Sequence, residues 1–163
     1  MPRRLRHPFR AAAALALAAL CAHGASAQQM PSASEQRAYT GLQQAAWRGD
    51  LQSLDKLLAQ GNKPDLEVRD PHGRTPLQIA TYAKQREAIP RLARAGAKLD
   101  AMDSQRYDAV TIASVADDPE TPALLLSPGA GAEQTTSPYD GTALIAAAHL
   151  AHVEVVRQMI AAG

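Results

Sequence analysis

The sequence predicts an all-α fold, a solenoid of about four helix-turn-helix units with projecting loops. The first observation that supports this prediction is a repeat period of about 33 residues, which indicates stacked copies of one supersecondary unit. The second is a glycine that recurs once in each period, and the third is a composition in which only 4% of the 163 residues are aromatic. Abundant Ala and Leu suit helices that pack closely through small side chains.

The repeat is anchored at four positions with nearly equal spacing along the chain: Thr40, Thr75, Asp108 and Thr142. An aliphatic residue follows each anchor after two positions, an alanine after five, and a leucine or methionine after 17. A glycine follows after 21 positions in every unit: Gly61, Gly96, Gly129 and Gly163. Because the chain has ten glycines in all, four in one column indicate a true repeat.

Each column has a physical reason that predicts helix, turn, helix and loop in every unit. An anchor Thr or Asp can accept a backbone N–H at a helix start, and Pro76 suits the first helical position. Gly49 is expected to end the first helix of its unit, and the glycine of the last column to close the second helix in the left-handed conformation. The stretch 70–74, Asp-Pro-His-Gly-Arg, predicts a turn before the next anchor.

The N-terminal segment predicts export. Four arginines and no acidic residue precede the apolar run 11–22, and Ala25-Ser26-Ala27 follows it. This order is typical of a secretory signal peptide at residues 1–27, with cleavage after Ala27. The run of about 12 apolar residues is too short to span a bilayer, which takes about 20. Residues 28–37 are mostly polar and small, and they predict a flexible leader.

Three other targeting signals compete with this interpretation. A mitochondrial presequence would spread its arginines along an amphipathic helix, whereas here they precede an unbroken apolar block. A lipoprotein signal would need a small residue before Cys21, where Leu20 stands. The pair Arg3-Arg4 hints at twin-arginine export, but the residues that follow fit it poorly. Since Cys21 is the only cysteine and leaves with the signal, the exported chain would have no disulfide, which favours a bacterial periplasm.

The stretch 73–80, Gly-Arg-Thr-Pro-Leu-Gln-Ile-Ala, resembles the signature of the ankyrin repeat, with Gln78 where the family usually has His. Residues 45–50 and 152–156 resemble two further parts of that repeat. The resemblance covers residues 38–163 and implies a solenoid with units at about 38–70, 71–103, 104–137 and 138–163. The third unit is recognised mainly because its residues keep the spacing of the repeat, while the rest of its sequence matches the family poorly.

Departures from the pattern predict two weak places in the stack. Pro90 and Pro122 are expected inside second helices, where each would remove a hydrogen bond and bend the helix. The third unit is expected to be the weakest, because Asp117-Asp118-Pro119 stand where a glycine is usual and the loop 130–139 has few apolar residues. We therefore expect the lowest protection from hydrogen exchange at residues 115–140. The last unit has apolar residues on its outer side and no polar cap. Either the chain continues past Gly163, which we expect, or this end docks on a partner or a second copy.

The resemblance also implies a binding surface, because ankyrin repeats contact their partners through loop tips and the exposed side of each first helix. Carried over unit by unit, these places predict ten partner-binding residues: Trp47, Arg48, Arg69, His72, Arg74, Tyr82, Met102, Ser104, Gln105 and Tyr107. Trp, Tyr and Arg are enriched at interface hot spots. The alternative for Trp47 and Tyr82 is simple packing between neighbouring first helices.

The sequence offers no comparable sign of catalysis or of a cofactor. His149 and His152 are three apart on a helix and could share a metal, but no third ligand is evident nearby, so we expect no metal site. The acidic residues Asp117, Asp118 and Glu120 are better explained by a helix N-terminus, which favours negative charge. No phosphate-binding glycine loop or nucleophile elbow is present. We therefore expect the protein not to be an enzyme.

Charge limits the class of partner. Without the four arginines of residues 1–27, 13 Lys and Arg remain against 16 Asp and Glu, a net charge near −3 that argues against nucleic acid. No membrane insertion is expected after signal cleavage. The expected function is a non-catalytic adaptor or inhibitor that binds another protein after export. The alternative is a chaperone-like or protective factor for an exported enzyme, for example in oxidative-stress defence.

Overall fold

The computed structural model describes residues 29–60, 65–136 and 141–162, and this part of the chain is helical apart from turns, loops and one isolated β-bridge between Thr136 and Gly141. The predicted signal peptide, residues 1–27, and the glycines at 61 and 163 that were predicted to close second helices lie outside the described residues. The described helices are α1 Ala33–Ala38, α2 Gly41–Arg48, α3 Leu51–Leu58, α4 Pro76–Tyr82, α5 Ala88–Ala95, α6 Ala109–Val115, α7 Glu120–Leu126, α8 Ala143–His149 and α9 Val153–Ala162.

Helices α2 to α9 form four antiparallel pairs that stack side by side. The first helices pack in the order α2, α4, α6, α8, and the second helices in the order α3, α5, α7, α9. The core between the two layers is aliphatic and continuous through the four units, with Leu54, Leu77, Ile89, Leu92 and Leu125 among its fully buried side chains. The predicted all-α solenoid of four helix-turn-helix units is confirmed.

The predicted caps set the boundaries of the first helices. The side chains of Thr75, Asp108 and Thr142 each accept the backbone N–H three residues later, at the starts of α4, α6 and α8. Thr40 lies at the equivalent place before α2 but makes no such hydrogen bond. Gly49 follows α2 with a φ of 64°, the left-handed conformation predicted for it.

The expectation that two prolines would bend second helices is wrong. Pro90 is the third residue of α5 and Pro122 the third residue of α7. The first four backbone N–H groups of a helix have no partner within it, so a proline there removes no hydrogen bond. The second helices begin late enough in units two and three to place each proline in the first turn. Helix bending therefore adds nothing to the expected weakness of the third unit, whereas the missing glycine still matters, since Asp117 has a φ of 49°.

The predicted flexible leader contains a helix. Residues 33–38 form α1, which starts with a capping box between Ser32 and Glu35. The backbone N–H of Ser32 donates to Oε2 of Glu35 at 2.8 Å, and the backbone N–H of Glu35 donates to the Ser32 hydroxyl at 3.4 Å. None of the residues within α1 is buried, so polar contacts hold this helix to the rest of the molecule.

Three units have a non-glycine residue in the left-handed conformation where the first unit has Gly49. Lys84, Asp117 and Ala151 each lie nine residues after their anchor, with φ values of 54°, 49° and 60°. The left-handed conformation costs a residue with a Cβ about 1–2 kcal/mol, whereas the greater freedom of glycine in the unfolded chain costs about 0.5–1 kcal/mol. These positions therefore carry a small local strain.

Replacing Ala151 with glycine is expected to stabilise the protein. The backbone strain relieved at residue 151 exceeds the entropic cost of a glycine in the unfolded chain. The free energy of unfolding should therefore rise by about 0.5–1 kcal/mol, measured by urea unfolding followed by circular dichroism. The matched control is Ala148→Gly, an exposed residue inside α8, which should lower the free energy of unfolding by about the same amount. A destabilising effect of both changes would contradict this account.

Candidate protein-binding groove

The first projecting loop is built around the carboxylate of Asp70. Its Oδ1 accepts the backbone N–H groups of His72 and Arg74, each at 2.9 Å. The backbone N–H of Asp70 donates to the carbonyl of Arg74 at 3.1 Å, and that of Gly73 donates to the carbonyl of Asp70 at 2.9 Å. One aspartate thus accepts the backbone N–H groups of a tight turn and fixes the direction of the side chains on both sides of that turn.

The second loop repeats this construction. Oδ1 of Asp103 accepts the backbone N–H groups of Gln105 and Tyr107, each at 2.9 Å. Burial raises the pKa of Asp103, and these two hydrogen bonds only partly counter that effect. Asp70 and Asp103 lie five residues before Thr75 and Asp108 respectively, so the turn belongs to the repeat.

The two loops lie against each other. The backbone N–H of Ser104 donates to the carbonyl of His72 at 2.9 Å, and the guanidinium of Arg69 donates to the carbonyl of Met102 at 2.7 Å. Gly73, with a φ of 73°, has no room for a side chain, because a Cβ there would lie 2.8 Å from the Ser104 hydroxyl and 3.1 Å from the Ser104 backbone nitrogen. The loop tips therefore form one rigid surface.

Arg74 lies at the centre of a buried ionic network, with a side chain only 1% exposed. Its Nε donates to Oδ2 of Asp70 at 2.6 Å, and the same oxygen accepts the hydroxyl of Tyr39 at 2.9 Å. A second carboxylate comes from α1, where Oε1 of Glu35 pairs with Arg74 and lies 3.1 Å from Nε2 of His72. Burial alone would lower the pKa of Arg74, but the hydrogen bond and charge of Asp70, with further negative charges, raise it.

An aromatic layer lies beneath the loops and combines side chains of the first helices with Tyr107, which ends the second loop. Tyr82 and Tyr107 pack with Ile112, and Trp47 packs against this cluster. The guanidinium of Arg74 lies 5.7 Å from the centre of the Tyr82 ring, within the range of a cation–π contact. The Tyr82 hydroxyl has no hydrogen-bond partner among the described residues, and burial raises its pKa. Loop and first-helix side chains thus form one packed wall.

Comparison with known proteins agrees with this architecture. A family model described as ankyrin repeats in three copies matches residues 42–137, more than half of the chain. The chain belongs to the ankyrin-repeat family. It is also similar to the ankyrin repeat domain-containing protein SAT10 of Stachybotrys chartarum, with 30% identity over 128 residues. That match covers 76% of this chain but only 6% of the length of the relative.

The ankyrin fold corrects part of the predicted contact surface. Arg74, Tyr82 and Tyr107 are buried, with 1%, 7% and 6% of their surface exposed. They support the ankyrin loops and first helices from below, so the prediction that a partner touches them is wrong for this structure. The packing alternative considered for Tyr82 describes it correctly, and it applies in part to Trp47, which is half-buried and lies 6.2 Å from the Tyr39 ring.

The other predicted contact residues of the ankyrin groove are accessible. Arg48, Arg69 and Ser104 are exposed, while Trp47, His72, Met102 and Gln105 are partly exposed. The structure adds exposed residues at or just after the ends of the later first helices, which the family pattern did not select: Lys84, Ala116, Asp117, His149 and Leu150. Their position eight or nine residues after an anchor, or seven for His149, is the signal that could have found them.

The two histidines considered as a metal pair have different surroundings in the ankyrin stack. Nδ1 of His152 donates to the carbonyl of Ser114 at 2.9 Å, which links the fourth unit to the third, while His149 is exposed. Within residues 29–60, 65–136 and 141–162, no group of three or more His, Cys, Asp or Glu side chains is arranged to hold a metal ion. In the same residues, no helix is both long enough and apolar enough to cross a membrane.

The acidic cluster of the third ankyrin unit is mainly a structural link. Asp118 is buried, and its carboxylate accepts Nη2 of Arg86 at 2.8 Å and the hydroxyl of Thr121 at 2.7 Å. Nη1 of Arg86 lies 3.2 Å from Glu120. Asp118 therefore joins the second unit to the third, in addition to its place near the start of α7, where the sequence predicted a favourable effect of negative charge.

Replacing Asp118 with asparagine is expected to change the pH dependence of stability. Burial alone would raise the pKa of Asp118, but the hydrogen bonds from Arg86 and Thr121 hold it below its ordinary value of 3.8. Such a carboxylate stabilises the fold fully above that ordinary value, and the contribution is lost as the pH falls through the folded-state pKa. Asp118→Asn should therefore lower stability at neutral pH and flatten its decline below about pH 4.

The measurement is urea unfolding of both proteins across the acid range. Asp65→Asn, a change at an exposed aspartate that accepts, among the described residues, only the backbone N–H of Glu67, is the matched control and should leave the profile unchanged. Parallel profiles for wild type and Asp118→Asn would show that the link between Arg86 and Asp118 has no such role.

Proposed function

We propose that this protein is a non-catalytic adaptor or inhibitor that binds one protein partner in the groove after export to the bacterial periplasm. Ankyrin repeats are protein–protein interaction modules, and the family assignment supports the general role. The observation that carries the specific proposal is the pair Trp47 and Arg48 at the end of α2. Trp47 is half-buried and Arg48 is exposed, and both lie on a surface that is otherwise packed and rigid.

The arrangement suits a hot spot. Trp47 rests against the cluster of Tyr82 and Tyr107, so its accessible part is held in place before any partner arrives. Gly49 ends α2 directly after Arg48, and the side-chain amide of Gln85 donates to the carbonyl of Trp47 at 3.3 Å, which fixes this corner to the second unit. A fixed aromatic beside an exposed arginine can combine apolar area with charge-assisted hydrogen bonds.

The charges along the groove indicate how a partner would lie. Arg48, Arg69 and Lys84 are exposed in the first two units, whereas the third unit exposes both Arg106 and Asp117. The groove is therefore basic in its first two units and of mixed charge in the third. A partner with acidic groups against the first two units would be oriented by this charge pattern, which affects specificity and the rate of association.

The test is capture of a partner by the tagged, purified chain from the exported fraction. Trp47→Ala combined with Arg48→Glu should reduce capture by about tenfold or more, the loss expected for a hot spot. The matched control is Arg94→Glu, which makes the same charge change at an exposed position on the second helix α5. Unchanged capture by the double variant, with wild-type circular dichroism, would refute the groove assignment.

Export is tested separately, since residues 1–27 lie outside the described part. We expect the protein purified from the periplasmic fraction to begin at Gln28 in N-terminal sequencing. A product that retains Met1 and remains with cytoplasmic markers would overturn the export proposal without affecting the groove.

A further inference from the structure

Three exposed cations of the first two units lie along the groove: Arg48 at the end of α2, Arg69 on the first loop and Lys84 just after α4. The guanidinium of Arg69 donates to the carbonyl of Met102 at 2.7 Å, and Nζ of Lys84 donates to the carbonyl of Ala116 at 3.4 Å. These acceptors carry no net charge. None of the three cations forms an ion pair within the part of the chain that the structure describes, so no carboxylate there matches their positive charge.

The carboxylates that follow these cations most closely in sequence have other partners. Asp70 is buried in the first loop. Asp50 is exposed but caps α3, since its oxygens accept the backbone N–H of Ser53 at 3.0 Å and the Ser53 hydroxyl at 2.6 Å. Glu87 lies 3.9 Å from Arg91 of α5. Without residues 1–27 the chain has 13 Lys and Arg against 16 Asp and Glu, so the basic groove is a local arrangement and not a property of the whole molecule.

Positive charge lies on both sides of the groove. On the helix side, the side-chain amide of Gln85 donates to the carbonyl of Trp47 at 3.3 Å, so the first two units are in direct contact where Arg48 and Lys84 stand. On the loop side, Arg69 joins the first loop to the second. The first helices α2 and α4 have eight and seven residues. At about 1.5 Å per residue they separate the two sides by about 10–12 Å, which leaves room for one extended chain.

We propose that the groove binds an acidic, extended segment of its protein partner, an inference that rests on the groove assignment above. Neighbouring helices pack about 8–10 Å apart, and a chain of the polyproline II type advances about 9 Å in three residues. Every third side chain of such a segment therefore meets the next unit. Carboxylates at this spacing pair with Arg48 and Lys84 in turn, beside an apolar contact on Trp47. The basic part ends in the third unit, where Asp117 is exposed together with Arg106.

A nucleic acid fits this surface less well than an acidic peptide. Single strands are bound by stacking successive bases on several aromatic side chains. In the described groove Trp47 is partly exposed, whereas Tyr39, Tyr82 and Tyr107 are buried. The net negative charge of the exported chain also opposes the approach of a long polyanion.

The test is binding of fluorescein-labelled peptides of about 12 residues, long enough to cross four units at this spacing, to the purified exported chain. The acidic peptide has Glu at every third place in a Gly-Ser background, and the neutral peptide has Gln at the same places. Fluorescence anisotropy at about 50 mM salt should show at least about tenfold tighter binding of the acidic peptide, and about 300 mM salt should remove most of this preference. The emission of Trp47, the only tryptophan of the chain, should change on binding.

Charge reversal locates the site. Arg48→Glu combined with Lys84→Glu should reduce the preference for the acidic peptide to about twofold or less, with the circular dichroism of wild type. The matched control is Arg94→Glu combined with Lys98→Glu, which makes the same change of charge at exposed residues near the end of α5 and should keep the preference.

Three results would overturn the proposal. The first is equal binding of the two peptides to wild type, and the second is no binding of the acidic peptide at about 1 mM. The third is a single-stranded oligonucleotide that binds as tightly as the acidic peptide, which would show a surface for polyanions in general. The groove itself survives all three if partner capture still depends on Trp47 and Arg48, because such a groove would bind through apolar and neutral polar contacts.

Discussion

Replacing Arg74 with methionine is expected to lower the free energy of unfolding by about 3–5 kcal/mol, as for other buried ion pairs that lose one partner. The change keeps an apolar stem of similar length but removes the guanidinium. The carboxylate of Asp70, which is 1% exposed, then loses the cation that pairs with it, and Glu35 loses its main partner. Urea unfolding followed by circular dichroism measures the loss.

Arg94→Met is the matched control, because Arg94 is exposed on α5 and bonds only to the carbonyl of Pro90 among the described residues. It should change stability by about 0.5 kcal/mol or less. Glu35→Gln, alone and with Arg74→Met, completes a double-mutant cycle that isolates the contribution of the α1 carboxylate. A loss below about 1 kcal/mol for Arg74→Met would show that Asp70 reaches water when the arginine is gone.

The second large effect is expected in the core, where the repeat supplies its own control. Leu92→Ala should lower the free energy of unfolding by about 3 kcal/mol or more, because Leu92 is fully buried and its removal leaves a cavity. Leu57 occupies the same column of the repeat in the first unit, but it is half-buried beside a polar depression on the outer side of that unit. Leu57→Ala should therefore cost much less, about 1 kcal/mol.

Both variants are measured by urea unfolding with two signals, circular dichroism for all helices and fluorescence of Trp47 for the first unit. Units of a solenoid contact only their neighbours, so damage to the second unit can separate the two transitions. Equal losses for Leu57→Ala and Leu92→Ala would contradict the difference in burial.

The sequence was sufficient to predict the architecture, because the anchors, the alanine column and the glycine column recur with one period. It failed for the prolines because register alone does not locate the start of a second helix. Relative to the anchor, α5 begins two places later than α3 does, and α7 begins one place later. These later starts put Pro90 and Pro122 in first turns, where a missing N–H has no consequence.

The candidate site was predicted less completely. The family pattern singled out Arg74 and Tyr82 by position, but position alone does not show that their side chains are buried. Glu35, which helps to cover Arg74, lies far earlier in the chain, before the first anchor, and nothing in the spacing connects the two. A local signal was available, however: Ser32 and Glu35 have the spacing of a capping box, which predicts a helix start.

Glu35 uses its two oxygens for different tasks. Oε2 accepts the backbone N–H that starts α1, and Oε1 meets Arg74 and His72. Formation of this short helix and closure over the first loop are therefore coupled through one carboxyl group. A change that removes the Glu35 carboxylate would loosen the start of α1 and leave the Arg74 guanidinium less covered, although Asp70 would still pair with it.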